Sequence, residues 1–478
     1  MFFGALTLLS IGPFIGINVG TTVLWEAIDR GFKGGLVESN NELTGLLMGR
    51  LVPWFERVTK PFNSSLVKHK EDAFLVNFAL YAGLGMPLLL WAFGRLHLQH
   101  GASTMYALLL CYAYHVIRLG PMFMNFAYVY AVCHKEGHAS AARNGLFRPP
   151  YDRRGPFRFI FNWWVGLYYG VLPSTFAIGH SINHHKYNNG PGDILSTCDK
   201  PRDEWRWLVA YIPRFVLYAC NLSTTWQFYK EGLHRIAFQT ILGSLYYLVF
   251  CGLVGRMYGA WFAFAYVVYP FLEQSVLLAG INWVWHAFLD PEDVENEYVA
   301  SITILGGTIN VLNEDSHVVH HQYPGMHWTS HPGLLTRHLK QYEKALGSVF
   351  YGTHTFEMLA LILMADYDKL AERFVGRMPE NAESELFHDG FHDKDKFERP
   401  TRVCSHEEAV ELIKTRLRVC WWGPRATHSN VALLSADSGT GFARAKEWED
   451  GGSLGWETQA PAVEPDPSEP LHERKKER

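Results

Sequence analysis

Long apolar runs constrain the fold of this 478-residue chain more than any other feature of its sequence. A helix needs roughly 20 apolar residues to cross the ~30 Å hydrocarbon core of a bilayer. The stretches that meet this requirement are 3–25, 73–95, 104–132, 235–255 and 258–285. Charged residues make up 19% of the chain, against about 25% in typical soluble domains. The sequence therefore predicts an all-α integral membrane protein with about five transmembrane helices.

The distribution of Lys and Arg predicts how these helices are oriented. The run 3–25 lacks the basic residues that precede the apolar region of a signal peptide, so we interpret it as a membrane helix. Basic residues collect in 26–72 and 133–234, whereas the short loops at 94–103 and 256–257 hold one each. Because loops rich in Lys and Arg stay in the cytosol, we expect a lumenal N-terminus. The two basic segments and the chain after 286 would then be cytosolic.

The rest of the chain divides by composition. We expect a membrane-embedded domain over 1–345, with aromatic-rich interfacial helices at 157–178 and 205–229. A cytosolic helical extension follows over 346–422, and its stretch 353–375 has the pattern of an amphipathic helix. The segment 423–478 is rich in Gly, Ser, Pro and charge, which predicts disorder.

Three short histidine clusters point to chemistry. They are His134 and His138; His180, His184 and His185; and His317, His320 and His321. Together they place eight of the chain's 23 histidines in three windows of five or six residues. Residues three or four apart share one face of a helix. The spacing therefore predicts that His134/His138, His180/His184 and His317/His321 each present two imidazoles to one point.

Adjacent histidines add a second inference. Neighbouring residues on a helix diverge by about 100°, so each doublet could reach two different metals. Eight inward imidazoles are also more than one metal can use. The sequence therefore predicts a two-metal site in a helical cap on the cytosolic side of the membrane helices. Neutral imidazole suits iron, zinc, copper and nickel. With few carboxylates beside the clusters, iron, zinc and copper all remain open on the residues alone.

Other polar residues in or near the spans are weaker candidates. Asn282 and His286 lie four apart at the end of the last span and could add ligands, or they could be ordinary helix residues. Glu273 lies inside that span, where a carboxyl is costly unless it is paired or functional. We favour an interhelical hydrogen bond for Glu273 over a place in the site.

The remaining candidates have plain structural interpretations. Carboxylates next to the clusters either hold ligand imidazoles or are ordinary surface charges; they are Glu136, Glu314 and Asp315. His115 is expected to be a packed core residue. His97 and His100 are expected on the surface of a lumenal loop. The histidines after the third cluster are expected at the surface or behind the ligands; they are His327, His331 and His338.

The boxes HxxxH, HxxxHH and HxxHH on a multi-span chain resemble the membrane fatty-acid desaturase/hydroxylase superfamily over about residues 70–330. The resemblance implies two iron ions held by nine histidines and by one asparagine through a water. Those ligands would be His134, His138, His180, His184, His185, Asn282, His286, His317, His320 and His321. It also implies O2 as co-substrate, a lipid or acyl-CoA substrate, and an external electron donor such as cytochrome b5 or a ferredoxin.

One departure bears on the reaction. The second box has three residues before its doublet, where many desaturases have two, and in this it is also similar to alkane monooxygenases. We expect a desaturase that introduces a double bond into an acyl chain. The alternative is a membrane di-iron lipid hydroxylase or alkane-type monooxygenase.

Other classes fit less well. A metal transporter would carry ionisable residues along several spans, whereas these clusters lie outside them, and a non-catalytic scaffold would have lost box histidines. The net charge of −4 gives no sign of nucleic-acid binding. Lys475 and Lys476 resemble a dilysine retrieval signal, so we expect an endoplasmic-reticulum membrane protein with a cytosolic active site and C-terminus.

Overall fold

The computed structural model describes residues 52–101, 103–120, 123–141, 146–148, 159–190, 192–307, 309–380, 390–391 and 400–420. The predicted span 3–25 and the segment 423–478, with its dilysine pair, lie outside the described residues. Their structure and role remain predictions.

The first half of the chain is built from helices. They are α1 (Val52–Leu66), α2 (Ala73–His100), α3 (Thr104–Leu119), α4 (Met124–Ala141), α5 (Ile160–Trp163), a 3-10 helix (Val165–Tyr169), a π-helix (Thr175–His184) and α6 (His185–Tyr187). A further 3-10 turn, Lys70–Asp72, leads into α2. Apolar side chains on α2, such as Leu84, Leu88 and Trp91, are exposed, as expected of a helix that faces lipid.

The middle of the chain adds the other long apolar helices. They are α7 (Trp205–Ala219), α8 (Leu222–Lys230), α9 (His234–Tyr258), α10 (Ala260–Ala263), a π-helix (Phe264–Val268) and α11 (Tyr269–Trp285). The continuous helical stretch from α10 to α11 lies at the centre of the fold. Of its most apolar 18 residues 72% are buried, against 28% for α9. Asn221, at a φ of 64°, separates α7 from α8, so the predicted helix at 205–229 is two helices.

Among the described residues, three helices are long and apolar enough to cross a membrane, and a bent pair adds a fourth candidate. The three helices match the predictions at 73–95, 235–255 and 258–285. The predicted span over 104–132 is not one straight helix, because α3 and α4 meet at an angle of 57°. Gly120, at a φ of 72°, ends α3 in a conformation that no helix continues through.

The chain after α11 forms short helices and strands. In chain order these are α12 (Glu297–Ala300), β1 (Thr303–Leu305), β2 (Ile309–Asn310), α13 (His317–Gln322), a 3-10 turn (Trp328–Ser330), α14 (His331–Leu335), a 3-10 turn (Thr336–His338), α15 (Leu339–Ala345), β3 (Val349–Tyr351), α16 (Thr355–Leu363), α17 (Tyr367–Arg373), β4 (Gly390–Phe391) and α18 (His406–Arg418). Strand β1 pairs with β3 in parallel, with Thr303 opposite Val349. Strand β2 pairs with β4 antiparallel.

The amphipathic segment 353–375 is two helices rather than the single one predicted. Ala365, at a φ of 53°, ends the first, and the Asp366 side chain caps the second by accepting a hydrogen bond from the backbone N–H of Lys369. Buried residues of α16 and α18, such as Ile362 and Ile413, pack in one cluster with Val284 of α11. The chain after residue 346 therefore shares a core with the end of the last span.

Candidate metal centre

The fold gathers nine histidines at one end of α4 and α11. They form two groups, within each of which the candidate donor atoms all lie within 4.8 Å of one another. The first group is His134, His138, His180, His185 and His320, and the second is His184, His286, His317 and His321. Both groups are largely buried. The structure thus brings together every histidine of the three clusters and adds His286.

The rings face one another through their Nε2 atoms. The Nε2–Nε2 distances are 2.7 Å for His134–His180, 3.3 Å for His134–His138, 3.0 Å for His180–His185, 3.1 Å for His185–His320, 3.1 Å for His286–His317 and 3.1 Å for His317–His321. Neighbouring nitrogens bound at right angles to one metal at 2.0–2.1 Å would be about 2.9 Å apart. The donor sets therefore fit a metal ion in each group.

The adjacent histidines divide between the groups as their divergence on a helix predicts. His184 belongs to the second group and His185 to the first, while His320 belongs to the first and His321 to the second. The rings of His185 and His321 stack with their centroids 4.3 Å apart across the boundary. The two groups are therefore neighbours within a single centre.

The expectation that His180 and His184 serve one point is wrong. The segment Thr175–His184 is a π-helix, and the backbone N–H of His185 bonds the carbonyl of His180 five residues earlier. That wider turn aligns His180 with His185 rather than with His184. His184 is left to face the second group. π-Helical turns are rare and concentrate at functional sites.

Carboxylates fix two of the rings from behind. His134 donates its Nδ1–H to Glu314 at 3.0 Å, and His184 donates its Nδ1–H to Asp193 at 2.5 Å. Lys135 also pairs with Glu314 at 2.9 Å. Each bond places the ring proton on Nδ1, which leaves the Nε2 lone pair for a metal. Glu314 therefore orients an imidazole of the first group, in line with one of its two sequence interpretations.

Two further rings are held by neutral groups. His286 Nδ1 donates to the carbonyl of Ala300 at 3.0 Å, and Ser181 Oγ lies 3.3 Å from His138 Nδ1.

Some of these contacts could not be predicted from the sequence. The partner of His286 is a main-chain carbonyl, which every residue carries, so no residue type indicates it. Asp193 was also missed, because it stands in a Gly- and Asn-rich turn that reads as an exposed loop.

The interpretation of the cluster-side carboxylates as surface charge is wrong. Glu136 is 4% exposed and accepts hydrogen bonds from the backbone and side chain of Asn162, at 2.7 and 2.9 Å. Asp315 is 6% exposed. His331 is fully buried, with Nδ1 2.9 Å from Ser316 Oγ, so it is not a surface residue either.

The other histidines lie mostly where the sequence predicts. His115 is buried and donates to the carbonyl of Ala265 at 2.9 Å, as expected of a packed core residue. His97 and His100 belong to α2 rather than to a loop, because that helix continues to residue 100. His327 bonds Asp72 at 3.0 Å, and His338 bonds Tyr323 at 2.9 Å.

Glu273 is an interhelical partner, as favoured from the sequence. Its carboxylate pairs with the Arg118 guanidinium of α3, and both side chains are fully buried. Asn282 lies on the other side of α11 and donates its amide N–H to Tyr211 Oη at 2.8 Å and to the Leu195 carbonyl at 3.2 Å. The role of Asn282 as a tenth ligand remains a prediction.

Burial sets the protonation of the centre. Desolvation, followed by repulsion between neighbouring imidazoles, lowers the pKa of several rings outside α4 well below the usual value; they are His180, His185, His286, His317, His320 and His321. Neutral imidazole is the form that binds a metal. Burial opposes the charge of Glu314, but His134 and Lys135 outweigh it and lower its pKa to about 2.

A mainly apolar cavity of about 540 Å³ leads to the centre. Its walls come from α4, the first π-helix, α7 and α11, with residues such as Ala127, Phe215 and Leu278. It reaches both groups, because His180 and His317 line it. Trp285 also lines the cavity and packs its ring 4.2 Å from that of His317. The volume is within the range of about 300–1,000 Å³ seen for small-molecule pockets.

Replacing Asp193 by alanine should weaken metal binding by the second group. Loss of an outer carboxylate partner typically costs about 10- to 100-fold in metal affinity, because His184 then loses the bond that orients its ring. Metal titration of the purified protein measures the change. Asp199→Ala is the control, since Asp199 is partly exposed and pairs with Arg214 rather than with a histidine. Equal metal affinity in Asp193→Ala and the wild type would contradict the assignment.

Comparison with known proteins identifies the family. No curated protein and no solved structure matches the chain. The family model described as fatty acid desaturase matches residues 107–353, just over half of the chain. The matched region contains all three histidine clusters together with Asn282, His286, Asp193 and Glu314. The chain therefore belongs to the fatty acid desaturase family.

Proposed function

We propose that this protein is an O2-dependent di-iron desaturase that introduces a double bond into a lipid acyl chain. The observation that carries the proposal is the mainly apolar cavity, which is lined largely by α4, α7 and α11 and is bordered by histidines of both groups. An acyl chain could enter it from the bilayer without crossing water. The balanced reaction removes two hydrogens from adjacent methylenes and consumes one O2, two electrons and two protons, giving the alkene and two waters.

Different residues of the chain would bind the metal ions and the acyl chain. The nine histidines, with Asn282 as a tenth ligand, would hold two iron ions, which supply O2 activation when bound. Apolar side chains of the cavity bind the acyl chain and exclude water. Trp285 links the two parts, because it lines the cavity and packs against His317. Trp285 would thereby fix the position of the cavity wall relative to the second histidine group.

The cellular setting is part of the same proposal. The basic segments 26–72 and 133–234 support a cytosolic position for the metal centre. Electrons would then arrive from a separate cytosol-facing carrier, such as cytochrome b5 or a ferredoxin, and the dilysine pair supports residence in the endoplasmic reticulum. The substrate would be an acyl-CoA or a membrane lipid.

Lipid analysis tests the reaction. The protein is expressed in a host with a simple lipid profile, beside an inactive His320→Ala/His321→Ala variant, and the lipids are analysed by mass spectrometry. Products lighter by two hydrogens than host acyl chains, absent with the variant, are the expected result. Products heavier by one oxygen would overturn desaturation in favour of hydroxylation. The same lipids with both proteins would reject either oxidation.

Narrowing the cavity should lower activity without removing metal. Ala127 lines the cavity on α4, so Ala127→Phe would displace the acyl chain, and a misplacement of about 1 Å can cost roughly 100-fold in rate. Product yield and metal content are measured on the same preparation. Leu248→Phe is the control, because Leu248 is exposed on α9. Unchanged product yield in Ala127→Phe would show that the acyl chain binds elsewhere.

A further inference from the structure

The helix α18 lies outside the family match but bonds to the segments on either side of His286 in the fold, through Arg202 and Leu289. The family match ends at residue 353, whereas α18 covers His406–Arg418. Its buried face, which includes Ala409, Ile413 and Leu417, packs in the same cluster as Val284. The helix therefore shares an apolar core with the end of α11, which precedes His286.

Arg202 joins this helix to the segment that carries His286. Its Nε–H donates to the carbonyl of Ala287 at 2.9 Å, and its Nη2–H donates to the carbonyl of Arg416 at 2.8 Å. Its backbone N–H donates to the carbonyl of Leu417 at 2.9 Å. Arg202 is fully buried. A guanidinium with several donors in fixed directions is suited to hold carbonyls from two separate segments at once.

The same region supports the second histidine group. The carbonyl of His286 accepts a hydrogen bond from Thr197 Oγ1 at 2.9 Å. Thr197 lies in the loop between Asp193, which orients His184, and Arg202. The backbone N–H of Leu289 donates to the carbonyl of Arg416 at 3.2 Å. These hydrogen bonds to His184 and His286 thus come from one segment, 193–202, and Arg202 at its end bonds that segment to α18.

The far side of α18 is anchored as well. Arg416 donates from Nη1 to the carbonyl of Leu346 at 2.6 Å and from Nη2 to that of Ala345 at 2.9 Å. These carbonyls lie at the C-terminal end of α15, where a cation is favoured by the helix dipole. A capping box of Ser405 and Glu408 fixes the start of α18.

We propose that α18, Arg202 and Arg416 form a C-terminal clamp that positions His184 and His286, and that the clamp sets the metal affinity of the second histidine group. The first group takes four of its five histidines from α4 and from the π-helix with the residue after it. Loss of the clamp should therefore act on one group. The proposal rests on the proposed function only in that both require a metal in the second group.

Cobalt(II) binding to the full-length protein tests the clamp one group at a time. In a His138→Ala background the second group is intact, and in a His321→Ala background the first is intact. Arg202→Ala should lower cobalt affinity at least about 10-fold in the first background, as loss of outer-shell support does. In the second background it should change affinity less than about twofold. Arg416→Ala should behave in the same way.

Two more variants make the test specific. Arg202→Lys keeps the charge but not the planar set of donors, so an intermediate loss in the His138→Ala background is expected, in a protein closer to the native fold. Lys414→Ala, on the exposed face of α18, should change nothing. Equal losses in both backgrounds would mean general destabilisation and would overturn the clamp, as would unchanged affinity in both.

The clamp and the proposed function fail in different ways. A wild-type protein that binds cobalt in both groups and responds to Arg202→Ala as described, but produces no oxidised lipid, would reject the desaturase proposal and leave the clamp standing. A desaturase whose second group ignores Arg202→Ala would reject the clamp alone. A wild-type protein that binds no metal would reject both.

Discussion

Replacing His320 and His321 together by alanine should abolish product formation and lower metal binding in both histidine groups. The two residues are adjacent in sequence but serve different groups. The loss of activity should exceed the roughly 10- to 100-fold that removal of outer-shell support typically causes, because donor atoms themselves are removed. Product yield by mass spectrometry and metal content by elemental analysis are the measurements.

The single variants sharpen this result. His320→Ala should lower metal in the first group, and His321→Ala should lower it in the second. His100→Ala is the matched control, because His100 lies exposed at the end of α2. Full metal content in the double variant would show that the third cluster does not bind metal.

Replacing Glu273 by alanine should destabilise the protein severely. Its carboxylate pairs with Arg118 between α11 and α3, and neither side chain is exposed. Arg118 also donates from Nε to His115 at 3.1 Å, so the lost pair is part of a longer buried network. Removing one partner of a buried ion pair costs about 3–5 kcal/mol, since a charge is left uncompensated. Unfolding of the detergent-solubilised protein with heat or denaturant measures the loss.

The double replacement Arg118→Met/Glu273→Leu separates pairing from packing. Apolar residues of similar volume often replace a buried pair with little change in stability. The double variant should therefore be more stable than Glu273→Ala. If Glu273→Ala alone unfolds like the wild type, the pair does not stabilise the helices.

The long apolar helices could be predicted from the sequence because crossing a membrane requires about 20 apolar residues. The bend between α3 and α4 could not, since it depends on Gly120 adopting a positive φ. A run of apolar residues reports length and composition, but not the dihedral angle at one glycine. The division of 353–375 at Ala365 escaped prediction for the same reason.

The candidate site could likewise be predicted only in part from the sequence. Spacing identified all eight clustered histidines and the split of each doublet, because angular separation on a helix follows directly from residue number. It assigned His180 to the wrong partner, because the choice between i→i+4 and i→i+5 hydrogen bonding is made by the packing around the helix. Asp193 and Arg202 were not identified, because their partners are distant in sequence or are main-chain atoms.

The most direct test of the two-metal account is the metal content of the purified wild-type protein. After anaerobic reconstitution with iron(II) and removal of free ion, the account predicts two iron ions per chain, one for each histidine group. Loss of one ion in His138→Ala and of the other in His286→Ala should accompany this result. A wild-type protein that retains one iron ion, or none, would contradict the account.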